Sequence, residues 1–247
     1  MNRNAVRSEA AHCHRRGLVI SALSLAAAGS LGGIAKAQLP GVGALTREQR
    51  DQLTPDEVLA MLKHGNDRFR AGKMLPHDYL VQKRQTIGGQ YPAAAVLSCI
   101  DSRAPAEIVF DAGIGDAFNS RIAGNVANDD VLGSLEFACA AAGAKLIVVM
   151  GHTSCGAVKG AIDGVQLGHL TGLLEKIKPA VAATKYTGER ASKNGDFVDA
   201  VAKTHVARTV DAIRSQSSVL AGLAKDGKIK IVGAMYYLQG GRVEFLS

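Results

Sequence analysis

The stretch LIVVMGHTSCG, residues 146–156, decides the fold of this chain. Its first five residues form an apolar run without a polar break, which predicts a strand buried on both faces. The next residues include a histidine, a serine and a cysteine, and residues 155–162 are expected to turn into a helix. A buried strand that leads through a short polar loop into a helix is typical of an α/β protein with parallel strands.

The same alternation continues on either side of this stretch. Strands are predicted at 93–98, 117–122, 146–150 and 229–238, with a hairpin partner at 242–246. Helices are predicted at 54–72, 104–110, 131–142, 155–162, 170–185 and 196–214. We therefore expect an α/β fold in which helices flank both faces of a mostly parallel central sheet.

Composition and charge exclude several classes of function. Of the 247 residues, 47% are hydrophobic and 21% are charged, a balance typical of one globular domain rather than of a disordered chain. Residues 1–37 carry +4 of the net charge of +7, which leaves only +3 on the remaining 210 residues. That excess is too small to indicate a nucleic-acid or membrane partner. Tryptophan is absent, so a stacking platform for single-stranded nucleic acid is not expected either.

Residues 1–37 are predicted to be a cleavable export signal of the twin-arginine type. Arg15-Arg16 runs directly into the uncharged segment 18–35, and Ala35-Lys36-Ala37 has the A-x-A form of a cleavage site. A Sec signal or a membrane anchor is the alternative, but serine and glycine dilute the short apolar segment, which disfavours a stable span. Cleavage near Ala37-Gln38 predicts a periplasmic or secreted protein.

The mature chain is predicted to have two parts. Residues 38–53 are expected to form an N-terminal arm or linker, whereas residues 54–247 contain every predicted strand and form a single domain. No apolar run in this part reaches the ~18 residues that a transmembrane helix needs, so no stable membrane span is expected after cleavage.

The cysteines point to a metal rather than to disulfides. Once the signal is removed, the chain keeps Cys99, Cys139 and Cys155, an odd number in an oxidising compartment. Cys139 lies in an alanine-rich predicted helix and is expected to be a core residue. The other two cysteines follow predicted strands, and sheets of this type bind ligands at the carboxyl ends of their strands.

Two short motifs carry candidate chemistry. CIDSR, residues 99–103, follows the first predicted strand, and GHTSCG, residues 151–156, follows the third. Two thiolates and an imidazole form a preferred ligand set for Zn²⁺. His152 and Cys155 are three residues apart, so that one turn can direct both at one ion, and Cys99 would supply the third ligand. Three protein ligands leave a fourth position for water, as in catalytic zinc sites.

The residues alone leave other interpretations open. Asp101 could be the fourth ligand of a structural zinc ion. A cysteine and a histidine could instead act as a nucleophile and its base. Cysteine and histidine at strand ends are also often merely buried side chains without a chemical role.

Asp101 and Arg103 are predicted to act as a pair. Zinc with two thiolates is formally neutral, so it acidifies water less than a zinc ion held by three histidines. Asp101 can bind the ion itself and give an inactive closed site, or it can accept a hydrogen bond from the hydroxide at the fourth position. Arg103 can hold the carboxylate in the second role through a bidentate ion pair.

The sequence resembles the β-class carbonic anhydrases over nearly all of the mature chain. The segments that carry the resemblance are GNDRF (65–69), CIDSR (99–103), FDAGIGD (110–116), RIAGN (121–125), GHTSCGA (151–157) and VGAMYY (232–237). The order of the C-x-D-x-R and H-x-x-C motifs is its most specific feature.

The resemblance implies a fold, a cofactor and an activity. It implies four parallel strands with one added antiparallel edge strand, and residues 54–247 as the catalytic domain. It implies one Zn²⁺ per chain on Cys99, His152 and Cys155, with an Asp101–Arg103 dyad. It further implies reversible hydration of CO₂ to bicarbonate and a proton, and self-association into dimers or tetramers with the site near the subunit interface.

Departures from the family pattern and rival activities remain. Some members place a glutamine beside the substrate where this chain has Gly113, and the absence of tryptophan argues against the inhibitory bicarbonate site of other members. The rival functions are hydrolysis of carbonyl sulfide or carbon disulfide on the same fold, and a non-catalytic zinc-binding role.

Among the histidines, His205 is expected to pack in the core, and His64, His77 and His169 to lie in loops or at the surface.

Overall fold

A twisted five-stranded sheet with strand order β2-β1-β3-β4-β5 organises the part of the chain that the computed structural model describes, residues 41–246. The predicted export signal and the first residues of the predicted arm lie outside this range. The strands are β1 (Ala94–Ser98), β2 (Ala117–Arg121), β3 (Leu146–His152), β4 (Lys230–Tyr236) and β5 (Val243–Leu246). Strands β1 to β4 are parallel and β5 is antiparallel to β4, which confirms the predicted sheet.

Ten α-helices lie in the described range. They are α1 (Arg47–Gln52), α2 (Pro55–Arg70), α3 (Tyr79–Thr86), α4 (Ala106–Val109), α5 (Asp129–Glu136), α6 (Gly156–Asp163), α7 (Gly168–Glu175), α8 (Lys178–Ala183), α9 (Gly195–Gln216) and α10 (Ser218–Lys225). None of them is long and apolar enough to cross a membrane.

The helix starts agree best with the prediction where the sequence carries a cap. Thr54 accepts the backbone N–H of Glu57, and Glu57 accepts the backbone N–H of Thr54, which is the predicted capping box of α2. A second capping box, formed by Thr46 and Gln49, starts α1 inside the segment that was predicted as an arm or linker. That segment is therefore not irregular throughout.

Three helix predictions need correction. The single helix expected at 170–185 is two helices, because Pro179 cannot continue α7 and instead stands in the first turn of α8. The helix expected at 131–142 ends at Glu136 and continues as one π-helical turn, Phe137–Ala141. Helices α3 and α10 were not predicted, since each has only 8 residues, which is too short for a clear helical period.

Two apolar layers bury the sheet. On one face, α9 packs with α5, α6, α8 and α10; on the other, α2 and α4 pack with the chain around Phe110. The central strand β3 is buried along its whole length, as its apolar run predicts. Burial of both faces agrees with the helix-covered sheet expected from the sequence.

Helix α9 lies very close to the sheet because two glycines leave room for it. A Cβ atom on Gly151 would lie 2.6 Å from Val206 Cγ2, and one on Gly233 would lie 2.8 Å from Val206 Cγ1. These glycines belong to the neighbouring strands β3 and β4, so Val206 fits into the gap between them. Gly151 of the GHTSCG motif is thus needed for packing, and it places α9 directly beside the loop that follows β3.

Candidate metal centre

Three buried side chains converge at the carboxyl ends of β1 and β3. The Sγ atoms of Cys99 and Cys155 and a ring nitrogen of His152 all lie within 4.8 Å of one another. The parallel register explains the convergence: Ser98 pairs with Met150, so Cys99 follows β1 beside the end of β3, where His152 stands. Cys155 returns to the same point because it immediately precedes α6. The structure therefore brings together the three residues that the sequence proposes as ligands.

The imidazole of His152 is oriented to leave one nitrogen available. Its Nδ1 lies 2.9 Å from the carbonyl oxygen of Thr153, which can only accept, so Nδ1 carries the hydrogen. In the neutral ring Nε2 is then the unprotonated nitrogen; it is buried and makes no hydrogen bond within the described range. A buried acceptor without a partner is costly unless an ion binds it. This nitrogen, beside two thiols, fits a divalent metal of zinc's preference.

The backbone around Cys99 favours its thiolate. The Cys155 thiol and then the ring of His152 lower the pKa of Cys99, and the N–H of Gly124, 3.3 Å from Cys99 Sγ, adds to this effect against the opposing effect of burial. The nearby sulfur of Cys99, followed by burial, raises the pKa of Cys155. A divalent cation bound between the two sulfur atoms would favour the thiolate form of both.

Asp101 is held next to this cluster by Arg103. Arg103 Nε donates to Asp101 Oδ1 at 2.9 Å and Nη2 donates to Oδ2 at 2.8 Å, the predicted bidentate pair. The Arg103 backbone N–H also donates to Oδ1 at 2.9 Å. These bonds hold the pKa of the Asp101 carboxyl well below its usual range. Asp101 Oδ2 lies 3.8 Å from His152 Nε2, so the carboxylate lies beside one of the three donor atoms.

Sequence reasoning missed Arg121, which fixes the loop after β1. Arg121 Nε donates to the carbonyl oxygen of Cys99 at 3.0 Å, and Nη2 donates to that of Asp101 at 2.6 Å. Arg121 is the last residue of β2, and the parallel pairing of β1 with β2 places it beside Ser98. The signal was present in the sequence, since Arg121 begins the quoted segment RIAGN, but its contact partners depend on that pairing.

Gly113, where some family members have a glutamine, lies against a different glutamine. A Cβ atom on Gly113 would lie 2.4 Å from Gln82 Nε2, so the glycine makes room for this side chain. Gln82 is fully buried, accepts the N–H of Ile114 at 2.9 Å and donates to the carbonyl oxygen of Gly41 at 3.0 Å. Gln82 therefore joins the N-terminal segment to the loop before β2, a contact that the sequence did not predict.

The remaining candidates fall into two groups. Cys139 is buried, and burial raises its pKa to about 12, so the prediction of a core residue is confirmed. His205 is also buried, as predicted. His77 lies in the loop between α2 and α3, as expected, although its side chain is buried and its Nε2 lies 2.9 Å from Asp111 Oδ1. The expectation of a loop or surface position is wrong in part for His64, which lies half-buried within α2.

Comparison with known proteins gives the same family. The family model described as "Carbonic anhydrase" matches residues 94–243, which include both motifs and the four parallel strands. Carbonic anhydrase 2 of Mycobacterium tuberculosis is 38% identical over 187 residues, which cover 73% of this chain and 87% of that protein. This chain belongs to the β-carbonic anhydrase family.

Two further comparisons extend this assignment. The carbonic anhydrase of Mycolicibacterium smegmatis is 39% identical over 188 residues, which cover 75% of this β-carbonic anhydrase and 90% of that relative. A crystal structure from work on two tetrameric β-carbonic anhydrases of Sordaria macrospora has a TM-score of 0.58 at 24% identity and covers 65% of this chain and 83% of that one. At that identity the likeness shows the fold alone. Whether this chain forms a dimer or a tetramer stays a prediction.

His205 connects α9 to the surroundings of Cys99. Its Nε2 donates to the carbonyl oxygen of Gly124 at 2.9 Å, and the N–H of Gly124 faces Cys99 Sγ. Gly124 has a φ of +68° and a Cβ there would lie 2.6 Å from Ile177 Cδ1, so only glycine fits. Burial, against the Gly124 hydrogen bond and with help from nearby Arg208, lowers the pKa of His205 to about 4.

This pKa predicts a loss of stability in mild acid. The unfolded chain binds a proton at His205 below about pH 6.5, whereas the folded chain resists it until about pH 4. The free energy of unfolding should therefore fall by about 2 kcal/mol between pH 7 and pH 5 because of this residue. His205→Gln keeps a donor but does not titrate, so urea unfolding of both proteins at both pH values isolates the contribution. An equal fall in the two proteins would contradict it.

Proposed function

We propose that this β-carbonic anhydrase catalyses the reversible hydration of carbon dioxide to bicarbonate and a proton, with zinc held by Cys99, His152 and Cys155. The observation that carries the proposal is the buried cluster of three donor atoms, in which His152 Nε2 makes no hydrogen bond within residues 41–246. The family supports CO₂ hydration over hydrolysis of carbonyl sulfide or carbon disulfide and over a non-catalytic role.

The charge of the three donor atoms suits zinc, as their positions do. Two thiolates and one neutral imidazole offset the charge of a divalent cation, so the buried centre carries no net charge. When bound, zinc supplies a Lewis acid that makes water a nucleophile near neutral pH. The fourth position that this chemistry needs is supported by the pairing of Asp101 with Arg103, which engages the carboxylate elsewhere.

Asp101 is proposed to orient the nucleophile. Arg103 makes two hydrogen bonds to Oδ1 and one to Oδ2, so Oδ2 keeps a lone pair that can accept a hydrogen bond from the attacking oxygen. That hydrogen bond directs the proton of the attacking oxygen toward Asp101, so that a lone pair of the same oxygen faces CO₂. Because Asp101 stays ionised far below neutral pH, it remains an acceptor throughout the range of an assay.

The first test concerns the ligand set. Cys99→Ser and Cys155→Ser should each lose zinc and lower the thermal stability, because binding of a structural or catalytic metal is coupled to folding. Cys139→Ser is the matched control, since Cys139 is an equally buried thiol in the π-helical turn, away from the cluster. Metal analysis of the purified proteins should give one zinc per chain for the control. Full occupancy in both ligand variants would overturn the assignment.

The second test concerns Asp101 and Arg103. Arg103→Ala frees the carboxylate to bind the ion, and Asp101→Ala removes the acceptor, so both variants should keep zinc but lose about 10²-fold or more in kcat/KM. The wild-type rate should rise with pH as the nucleophile deprotonates. Arg103→Lys keeps the charge without the bidentate geometry and should fall between wild type and Arg103→Ala. Stopped-flow CO₂ hydration against pH measures all four. If Arg103→Ala kept the wild-type rate, Asp101 and Arg103 would form only a structural ion pair, without a role in catalysis.

We also propose that residues 1–37 direct export and are then removed, which gives a periplasmic or secreted enzyme. The support comes from the sequence: the arginine pair, the uncharged segment and the A-x-A site. Export in the folded state would suit this site, because Cys99 and Cys155 could bind zinc before they meet oxidants.

The third test therefore replaces Arg15 and Arg16 together by lysine. The precursor should then remain in the cytoplasm, as judged by cell fractionation and by the apparent mass of the protein. Lysine keeps the positive charge of the signal, so a Sec-dependent protein would be processed normally. Normal processing of this variant would point to the Sec pathway instead.

A further inference from the structure

The loop between the two proposed ligands of the GHTSCG motif contains an unusual backbone conformation. Ser154 has a φ of +55°, in the left-handed region that residues with a Cβ rarely adopt. In the described range only Asp111 and Asn125 share this feature among non-glycine residues, and aspartate and asparagine tolerate it better than serine. A conformation of this kind persists only where surrounding contacts hold it.

Asp199 of α9 supplies the contact that holds Ser154. The backbone N–H of Ser154 donates to Asp199 Oδ1 at 2.8 Å. Asp199 is half-buried and takes part in no ion pair within residues 41–246. The hydrogen bond to Ser154 is therefore the contact through which its carboxylate stabilises the fold. A hydrogen bond to a charged acceptor is stronger than a neutral one, by roughly a factor of two.

The other side of the loop is fixed by β4 and the chain after it. The N–H of Thr153 donates to the carbonyl oxygen of Tyr236 at 3.0 Å, and Thr153 Oγ1 accepts the N–H of Leu238 at 3.0 Å. Thr153 therefore anchors the His152 end of the loop to the sheet. Ser154 and Asp199 anchor the Cys155 end to α9.

Helix α9 is a rigid platform for this contact. Val198 and Val201, on either side of Asp199 in the sequence, are fully buried in the core. Val206, about two turns beyond Asp199, fits against Gly151 of the same loop motif. The carboxylate is therefore held at a fixed distance from β3.

We propose that Asp199 is a positioning residue of the metal centre, which acts by holding the Ser154 turn and so directs Cys155 Sγ toward His152 Nε2. The inference rests on the ligand set proposed above. If Ser154 relaxed to a negative φ, the chain would leave the turn in another direction, and Cys155 could no longer meet the other two donors without a shift of α6.

The experiment compares three single variants of the mature enzyme. Asp199→Ala removes the acceptor, Asp199→Asn keeps an oxygen acceptor without the charge, and Asp196→Ala removes an exposed carboxylate from the first turn of the same helix. Zinc affinity is measured by competition with a chelator, and the geometry of the site by the visible absorption of the Co²⁺-substituted proteins. CO₂ hydration gives kcat and KM separately.

We expect Asp199→Ala to bind zinc about 10–100-fold more weakly and to show altered Co²⁺ bands, as for other residues that orient ligands. Asp199→Asn and Asp196→Ala should remain close to wild type in both measurements. Should Asp199→Ala fail to fold, Asp199→Glu displaces the acceptor by one methylene and carries the same test.

A rescue experiment separates the turn from the charge. Glycine adopts a φ of +55° without steric cost, so Ser154→Gly should restore zinc affinity and the Co²⁺ spectrum in the Asp199→Ala background. Failure of this rescue would show that the carboxylate does not act through the turn and would overturn the proposal. Wild-type affinity and spectrum in Asp199→Ala would overturn it too. Absence of zinc from the wild-type protein would instead refute the ligand set.

Discussion

The parallel pairing of β1 with β3 is the constraint on which the rest of the site depends. Because Ala94–Ser98 runs alongside Leu146–Met150 in register, both chains leave the sheet at the same edge. Cys99 and His152 then meet although 53 positions separate them, and no local structure could bring them together. The burial of both faces of β3 makes this register hard to shift, since a slip of one residue would turn every side chain to the opposite face.

Helix α9 stabilises both halves of the site from one side of the sheet. His205 donates to Gly124, which faces Cys99, and Asp199 accepts from Ser154, which precedes Cys155. The close approach of α9 to β3 and β4 at Val206 makes both contacts possible. The two cysteine loops are thus connected to one rigid helix, which suits a site whose donor atoms must stay within a few tenths of an ångström of their places.

The site also separates buried charge from exposed charge. The two thiols and the imidazole are buried, and a buried polar group without a hydrogen-bond partner, such as His152 Nε2, is costly. Arg103 and Asp101 lie at the mouth of the site, where half of the arginine side chain is exposed. A cation at the centre and an ion pair at its rim would leave the interior neutral while an acceptor remains in reach of the substrate.

The sequence by itself determined the strands, the mostly parallel α/β character of the sheet, the cap of α2 and the three candidate ligands. Each of these depends on local composition or on a short motif, such as the unbroken apolar run of β3 or the spacing of His152 and Cys155. Only the tertiary structure decided which groups support the site. Arg121, His205 and Asp199 act through backbone atoms of distant loops, and a backbone N–H or carbonyl group leaves no mark in a sequence. The burial of His77 against Asp111 and the contact of Gln82 with Gly113 were decided in the same way, by packing between segments far apart in the chain.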